Sequence, residues 1–281
     1  MIYTPAWQPY YYAILCLIGL YSLPAIADIK LEGPLIQGGL VIGYTTPGST
    51  VWQQHIPIRV SKEGVFLLGF DRDMPTETEL KIKYPDGRVT QRRLTIQQRQ
   101  YAIQRINALP NNKVNPMRKQ DLVHIRADNS ALKAARKRDD DRQDFAQGFI
   151  WPATGPISGV YGSQRILNGQ KKRPHYGVDI ARPTGTPVVA PAAGIITLAK
   201  PNMFYSGGTV LIDHGHQLTS SFLHLSKLDV QVGDRVRQGQ LVGEIGATGR
   251  ATGPHLDWRM KLRAYQIDPQ LLVPPMPRKT P

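Results

Sequence analysis

Arg173-Pro-His175-Tyr-Gly-Val-Asp179 and Gly253-Pro-His255-Leu-Asp257-Trp258, with Phe222-Leu-His224-Leu-Ser226 between them, decide how this chain is read. The first stretch sets a histidine and an aspartate four residues apart, and the last sets such a pair two apart. Imidazoles and carboxylates gathered in this way form a donor set that binds zinc. On an extended strand, positions 255 and 257 share a face, so both side chains can reach one point. From Lys171 to Met260 the chain reads as a metal-centred hydrolytic site, with the remainder as its delivery and support.

The residues around that stretch are dense in β signals. Pro187–Ala190, Gly194–Leu198, Thr209–Ile212, Leu218–Phe222, Leu241–Ile245 and His255–Arg259 read as strands, with glycines between them marking tight turns. No strongly periodic helix of useful length interrupts them. An antiparallel β core over about 149–273 is expected, with long loops walling a groove. Asp268-Pro269 ends the last strand, and the proline-rich tail, 274–281, is expected to be loose.

Upstream, from Asp28 to about Ile103, short apolar or alternating runs are separated by Thr46-Pro-Gly48, Lys62-Glu-Gly64 and Pro85-Asp-Gly87. This spacing predicts a small β-sandwich. In Glu79–Tyr84 the alternation turns Leu80, Ile82 and Tyr84 inward and Lys81 and Lys83 outward. The connector, 104–148, contains a predicted helix through Ala131–Arg136, capped by Asp128 or Asn129. Its charged end, Arg136-Lys-Arg-Asp-Asp-Asp-Arg142, reads as a solvated face. The fold class is therefore mainly β, a sandwich followed by a larger antiparallel β domain.

At the N-terminus, Tyr11–Leu23 is apolar, uncharged and short for a membrane span, and Ala25-Ile26-Ala27 has the form of a cleavage site. A signal peptide over 1–27 is expected, giving an exported, periplasmic protein with no stable membrane span after processing. Cys16, the single cysteine, lies inside that run, so the mature chain has no disulfide. The 35 Lys+Arg against 21 Asp+Glu give a net charge of +14. Such a balance suits an anionic partner or serves solubility alone, and no aromatic nucleic-acid motif accompanies it. Lys171, Lys172 and Arg173 beside His175 either attract an acidic substrate or form a solvated loop. His55 and His124 stand alone and read as structural.

Gly159-Val-Tyr-Gly162, His175-Tyr-Gly-Val-Asp179, Gly185–Pro191, Asp213-His-Gly215, His224-Leu-Ser226, Val232–Val236, Gly246-Ala-Thr-Gly249 and Gly253-Pro-His-Leu256 follow one another in unbroken order. Together they resemble the lysostaphin-type (LytM) zinc metallopeptidases, and the front half resembles the β-sandwich found in some proteobacterial members. The resemblance implies an antiparallel β peptidase domain that hydrolyses the peptide cross-links of peptidoglycan, with one zinc per chain. His175 and Asp179 match the first two zinc ligands, and His224 and His255 match the two catalytic histidines. At 257 the family usually has histidine as third ligand, whereas this chain has Asp257, a carboxylate that can take the same position. Two aspartates would offset the formal charge of the zinc and soften its acidifying pull on water. His214 and His216 form a second His-x-His pair but sit in the family's Asp-His-Gly turn, so they read as structural, and Gly207-Gly208 as a turn. Two functions follow. One is a zinc-dependent endopeptidase acting on peptidoglycan peptide stems, with cell-wall regulatory proteins as further partners and no nucleic acid. The other is a catalytically silent relative that binds cell wall or activates amidases.

Overall fold

A computed structural model of the chain describes residues 29–107 and 111–277; the expected signal peptide lies outside the described residues. Two small sheets make the front unit. One holds Lys30–Glu32, Leu40–Tyr44 and Val65–Gly69, and the other Ile56–Ile58, Thr50–Gln53, Glu77–Lys83 and Val89–Thr95. Their facing sides close on a core that includes Val41, Val51, Phe66, Leu68, Leu80 and Ile82. Leu80, Ile82 and Tyr84 point inward as the alternation predicts, while Lys83 is exposed. Val65–Gly69 is buried throughout, because it is covered on both sides. Phe66 and Leu68 face the sandwich, and Val65 and Leu67, with Leu40, join the core of the second unit.

That second unit is built on a ten-stranded sheet whose strand pairs are all antiparallel. Through its middle run Gly194–Met203, Gly207–Asp213, Leu218–Leu228, His255–Leu262 and Val178–Ala181, in that order. Within the second unit the single described helical turn is Pro269–Leu271, started by Asp268, whose carboxylate accepts from the Gln270 amide at 3.0 Å.

The connector departs from expectation in three ways. Its helix runs Lys119–Ala135, so Asp128 lies inside it and caps nothing. Asp128 instead accepts the buried Phe204 amide at 2.7 Å, pinning the helix to the second unit, where Ala131, Leu132 and Ala135 pack on Leu198, Met203 and Leu211. Propensity alone does not show this, since the helix is held by tertiary contacts rather than by its own cap. The charged run beyond it is no solvated helix face. It leaves the helix and stitches the units together, Arg59 donating to Asp139 and Asp141, and Arg142 pairing with Asp144 and Asp213. Third, Ile103–Ile106 pairs in parallel with Gln164–Leu167 and so adds a strand beside the site. The tail is also less free than its prolines suggest. The Pro274 carbonyl accepts from the Trp151 indole at 2.8 Å, and Val273 and Met276 pack on the main core.

Candidate metal centre and active site

Strand His255–Leu262 is the scaffold of the site. Leu256, Trp258, Met260 and Leu262 fill the core with no exposed surface, each contributing about 1.5–3 kcal/mol by burial. Their burial fixes the phase of the strand, so His255, Asp257, Arg259 and Lys261 project from the opposite face. Val178–Ala181 pairs with this strand in a register that sets Asp179 directly opposite Asp257, with both carboxylates on one face. His175 enters from the preceding loop, held by its amide to the Ser163 carbonyl at 2.9 Å and by its carbonyl to the Gly162 amide at 2.7 Å.

Ligand-type atoms of His175, Asp179 and Asp257 all lie within 4.8 Å of one another, and all three side chains are buried. Both ring nitrogens of His175 and one oxygen of Asp179 are buried without a hydrogen-bond partner, although His175 Nε2 approaches Asp179 Oδ1 to 2.9 Å. Buried polar atoms left in that state carry a desolvation cost that a bound cation would remove. Two glycines make the room. A Cβ at Gly159 would stand 2.2 Å from Asp179 Oδ2, and one at Gly177 would stand 2.7 Å from Asp257 Oδ1. The residues present therefore fit a divalent metal of the zinc type.

Each carboxylate also has a guanidinium. Arg259 forks onto Asp257 with Nε at 2.9 Å and a terminal nitrogen at 2.6 Å, and Arg165 donates to Asp179 at 3.0 Å. Burial alone would raise the Asp257 carboxyl. The Arg259 guanidinium, with His175 and Arg165 behind it, outweighs that and holds the carboxyl well below the usual range. Asp257 is thus fully ionised, and each of its oxygens keeps a further lone pair beyond the Arg259 bond.

The two histidines expected to move protons stand side by side, their ring centroids 4.8 Å apart. His224 Nδ1 donates to the Thr248 carbonyl at 2.7 Å, and His255 Nδ1 donates to the Gly253 carbonyl at 2.8 Å. A carbonyl only accepts, so each Nδ1 carries a hydrogen and each Nε2 is left as the second ring nitrogen. Burial pushes the His224 imidazole down to about 4 against the pull of Asp257, so it is neutral across the physiological range. His224 itself has φ 66°, an uncommon left-handed conformation for a non-glycine residue and typical of functional positions.

Other histidines are placed elsewhere. His214 is fully buried between the Ala193 carbonyl and Ser220 Oγ, 2.6 Å from each. His216 packs edge-on to Phe145 at 5.2 Å, His55 is exposed, and His124 lies against Phe204 and Asp128. Sequence reading missed Arg165 and Arg259. The signal for Arg259 was present, since the period of two that joins 255 to 257 continues to 259 and 261. A cleft of about 160 Å³ opens on Asp179, His224 and His255, while a larger groove of about 600 Å³ runs beside it past His224 and Arg259. Of the residues expected at the site, Asp179, His224 and His255 line the smaller hollow, and His224 also lines the larger groove.

Residues 173–269 match the model of peptidase family M23. Among curated proteins, the chain is 34% identical over 146 residues to the peptidoglycan DD-endopeptidase ShyA of Vibrio cholerae, covering 52% of this chain and 34% of that protein. It is 38% identical over 108 residues to the DD-carboxypeptidase/endopeptidase Mpg of Neisseria meningitidis, covering 38% of this chain and 25% of that protein. The chain thus spans about a third or less of the length of these curated relatives. A solved structure from Pseudomonas aeruginosa assigned to peptidase M23 superposes with a TM-score of 0.65 at 29% identity, over 84% of this chain and 93% of that one. That match extends across the front unit as well as the second.

Proposed function

From a chain whose residues 173–269 are a peptidase family M23 domain, we propose a zinc-dependent endopeptidase that hydrolyses the peptide cross-links of peptidoglycan in the periplasm. The observation that carries this reading is the convergence of His175, Asp179 and Asp257 within 4.8 Å beside the paired imidazoles of His224 and His255. His175, Asp179 and Asp257 would hold the metal. A zinc ion bound there supplies a Lewis acid for the scissile carbonyl and lowers the pKa of water. The proton chemistry belongs to the chain. His224 and His255 each have Nδ1–H fixed on a backbone carbonyl; one of the two takes a proton from the attacking water while the other hydrogen-bonds the developing tetrahedral centre. The imidazolium so formed returns that proton to the leaving amine. Burial keeps the ground state of His224 neutral, so it is ready to accept. The names of relatives, DD-endopeptidases acting on peptidoglycan, support the substrate class.

A second reading is favoured by one observation. Arg259 already bonds both oxygens of Asp257 and Arg165 bonds Asp179, a neutralised arrangement that stands without a cation. In that reading the domain is silent, and binds cell wall or activates an amidase. The deciding experiment measures metal content of the purified protein and its products from cross-linked muropeptides. About one zinc per chain with new stem-peptide ends is expected. Metal near zero, with no uptake on adding zinc and no cleavage, would establish the silent reading.

A further inference from the structure

The groove of about 600 Å³ beside the cleft carries an unbalanced charge. Seven Lys and Arg side chains line it, Arg136, Arg165, Arg250, Arg259 and Lys261 among them, and among the described residues no aspartate or glutamate does. Arg165 and Arg259 are committed to the two carboxylates of the candidate metal centre, and Arg250 stacks on Tyr205. Arg136 and Lys261 have no such commitment. Arg136 ends the connector helix; its Nε is buried without a partner, and among the described residues its side chain donates at a long 3.5 Å to Ser221 Oγ. Among the described residues no carboxylate lines the groove beside Lys261, and Asp71 offsets part of its charge from outside the groove.

These cations also crowd one another. Burial lowers the Arg136 guanidinium to about 10, with Arg259 adding repulsion, and burial lowers Lys261, with Arg136 and Arg173 adding theirs. Like charges held together out of water are costly unless an anion joins them. Their spacing has meaning too. Lys261 is four residues beyond Asp257 on the same face of one strand, which places it about 13 Å along the groove at 3.3–3.4 Å per residue. An extended peptide running antiparallel or parallel to that strand rises at the same rate.

We propose that Arg136 and Lys261 form an anion subsite that takes a free carboxylate of a peptide lying in this groove, and so selects acidic stem peptides whose carboxyl groups are not amidated. The inference rests on the proposed endopeptidase reading for the identity of the peptide, and on the groove itself for the carboxylate. The connector helix then supplies a substrate contact as well as a wall.

The test uses two synthetic stem peptides without a cross-link, identical except that their carboxyl groups are free in one and amidated in the other. Binding is measured by calorimetry on the full mature chain. The free-acid peptide is expected to bind about tenfold more tightly, the size of one charge-assisted hydrogen bond, with the gap shrinking as salt rises. Arg136→Gln and, independently, Lys261→Gln should weaken the free-acid peptide and leave the amidated one within about twofold. Using two variants keeps the result readable if one folds poorly. A parent protein that binds both peptides equally, or variants that weaken both alike, would overturn the subsite. Because neither probe carries a cross-link and binding is read by calorimetry rather than by cleavage, this outcome is separate from the enzymatic one. Muropeptide cleavage without any carboxylate preference ends the subsite and keeps the endopeptidase. Preference without cleavage keeps the subsite and ends the endopeptidase.

Discussion

At the residue scale, position 257 concentrates the chemistry. Asp257 stands where the resembled family usually has histidine, and Arg259 two residues on forks onto it, so the pair together is formally neutral, as an imidazole would be. The arginine thereby offsets the charge that a second aspartate adds, a consequence that composition at the ligand positions alone does not reveal. If the metal and Arg259 share the neutralising of Asp257, Arg259→Gln should leave a buried carboxylate exposed to its full desolvation cost in the metal-free protein. A stability loss of about 3 kcal/mol is expected there, seen by denaturant titration. Saturating zinc should recover most of it by mass action. A variant as unstable with zinc as without it would separate Arg259 from the metal. The histidines divide from the ligands in a different way. His224 is bonded through Nδ1 to Thr248 and contributes no atom to the converging donors, so His224→Ala is expected to lower turnover about a hundredfold or more while zinc content holds. Asp257→Ala should lose zinc and turnover together. Elemental analysis beside a muropeptide assay distinguishes the two patterns.

At the scale of elements, the site is a property of register. Asp179 opposite Asp257, and Gly159 opposite Asp179 on the other side, place three strands so that two carboxylates share one hollow. Gly159 is needed because nothing larger clears Asp179: a Cβ there would meet Asp179 Cγ at 2.8 Å as well as its oxygen. Gly159→Ala should therefore displace that carboxylate and weaken zinc binding about tenfold or more, with a smaller effect on thermal stability. Competition with a chelator reads the first and a melting curve the second; equal zinc affinity in the variant would show that Asp179 does not ligate from this strand. Much of this was legible in sequence. The period of two through His255-Leu-Asp-Trp set the scaffold strand and its faces, and the His175-to-Asp179 spacing marked the other half of the donor set. What could not be read was partnership between distant segments. Nothing local tells that Asp128, inside a helix, accepts the Phe204 amide, or that Ile103–Ile106 aligns with Gln164–Leu167 and so helps position Arg165. The charged run after the helix failed for the same reason. A basic triplet followed by an acidic one reads as solvated until Arg59, eighty residues before Asp139, is found donating to Asp139 and Asp141.

At the scale of the whole molecule, the two units are bound through both core and charge. Leu40, Val65 and Leu67 enter the second unit's core, Arg263 donates to the Leu67 carbonyl at 3.0 Å, and Arg99 pairs with the buried Asp268 at 2.8 Å. Near that junction lie groups whose titration couples to folding. Burial lowers His214 and His216 to about 4, and both nitrogens of His216 are buried without a partner against Phe145. In the unfolded chain a histidine titrates near 6.5. Below that value the unfolded state takes up a proton that the folded state refuses until about 4. Stability from these two residues is therefore complete above about 6.5 and lost as the pH falls to about 4. The loss is at most about 3 kcal/mol for each. Burial raises the carboxyls of Asp71, Asp213 and Asp268, which pull in the opposite sense at the acid end, so the raw pH profile mixes the two. A difference experiment isolates the histidine part. His216→Phe keeps an aromatic ring against Phe145 and removes the titrating group, and any backbone cost at φ 50° is the same at every pH. Urea unfolding of parent and variant from pH 7.5 to 4 should show the parent losing up to about 3 kcal/mol more than the variant across that window. Parallel curves would mean that His216 protonates in the folded protein as readily as in the unfolded one.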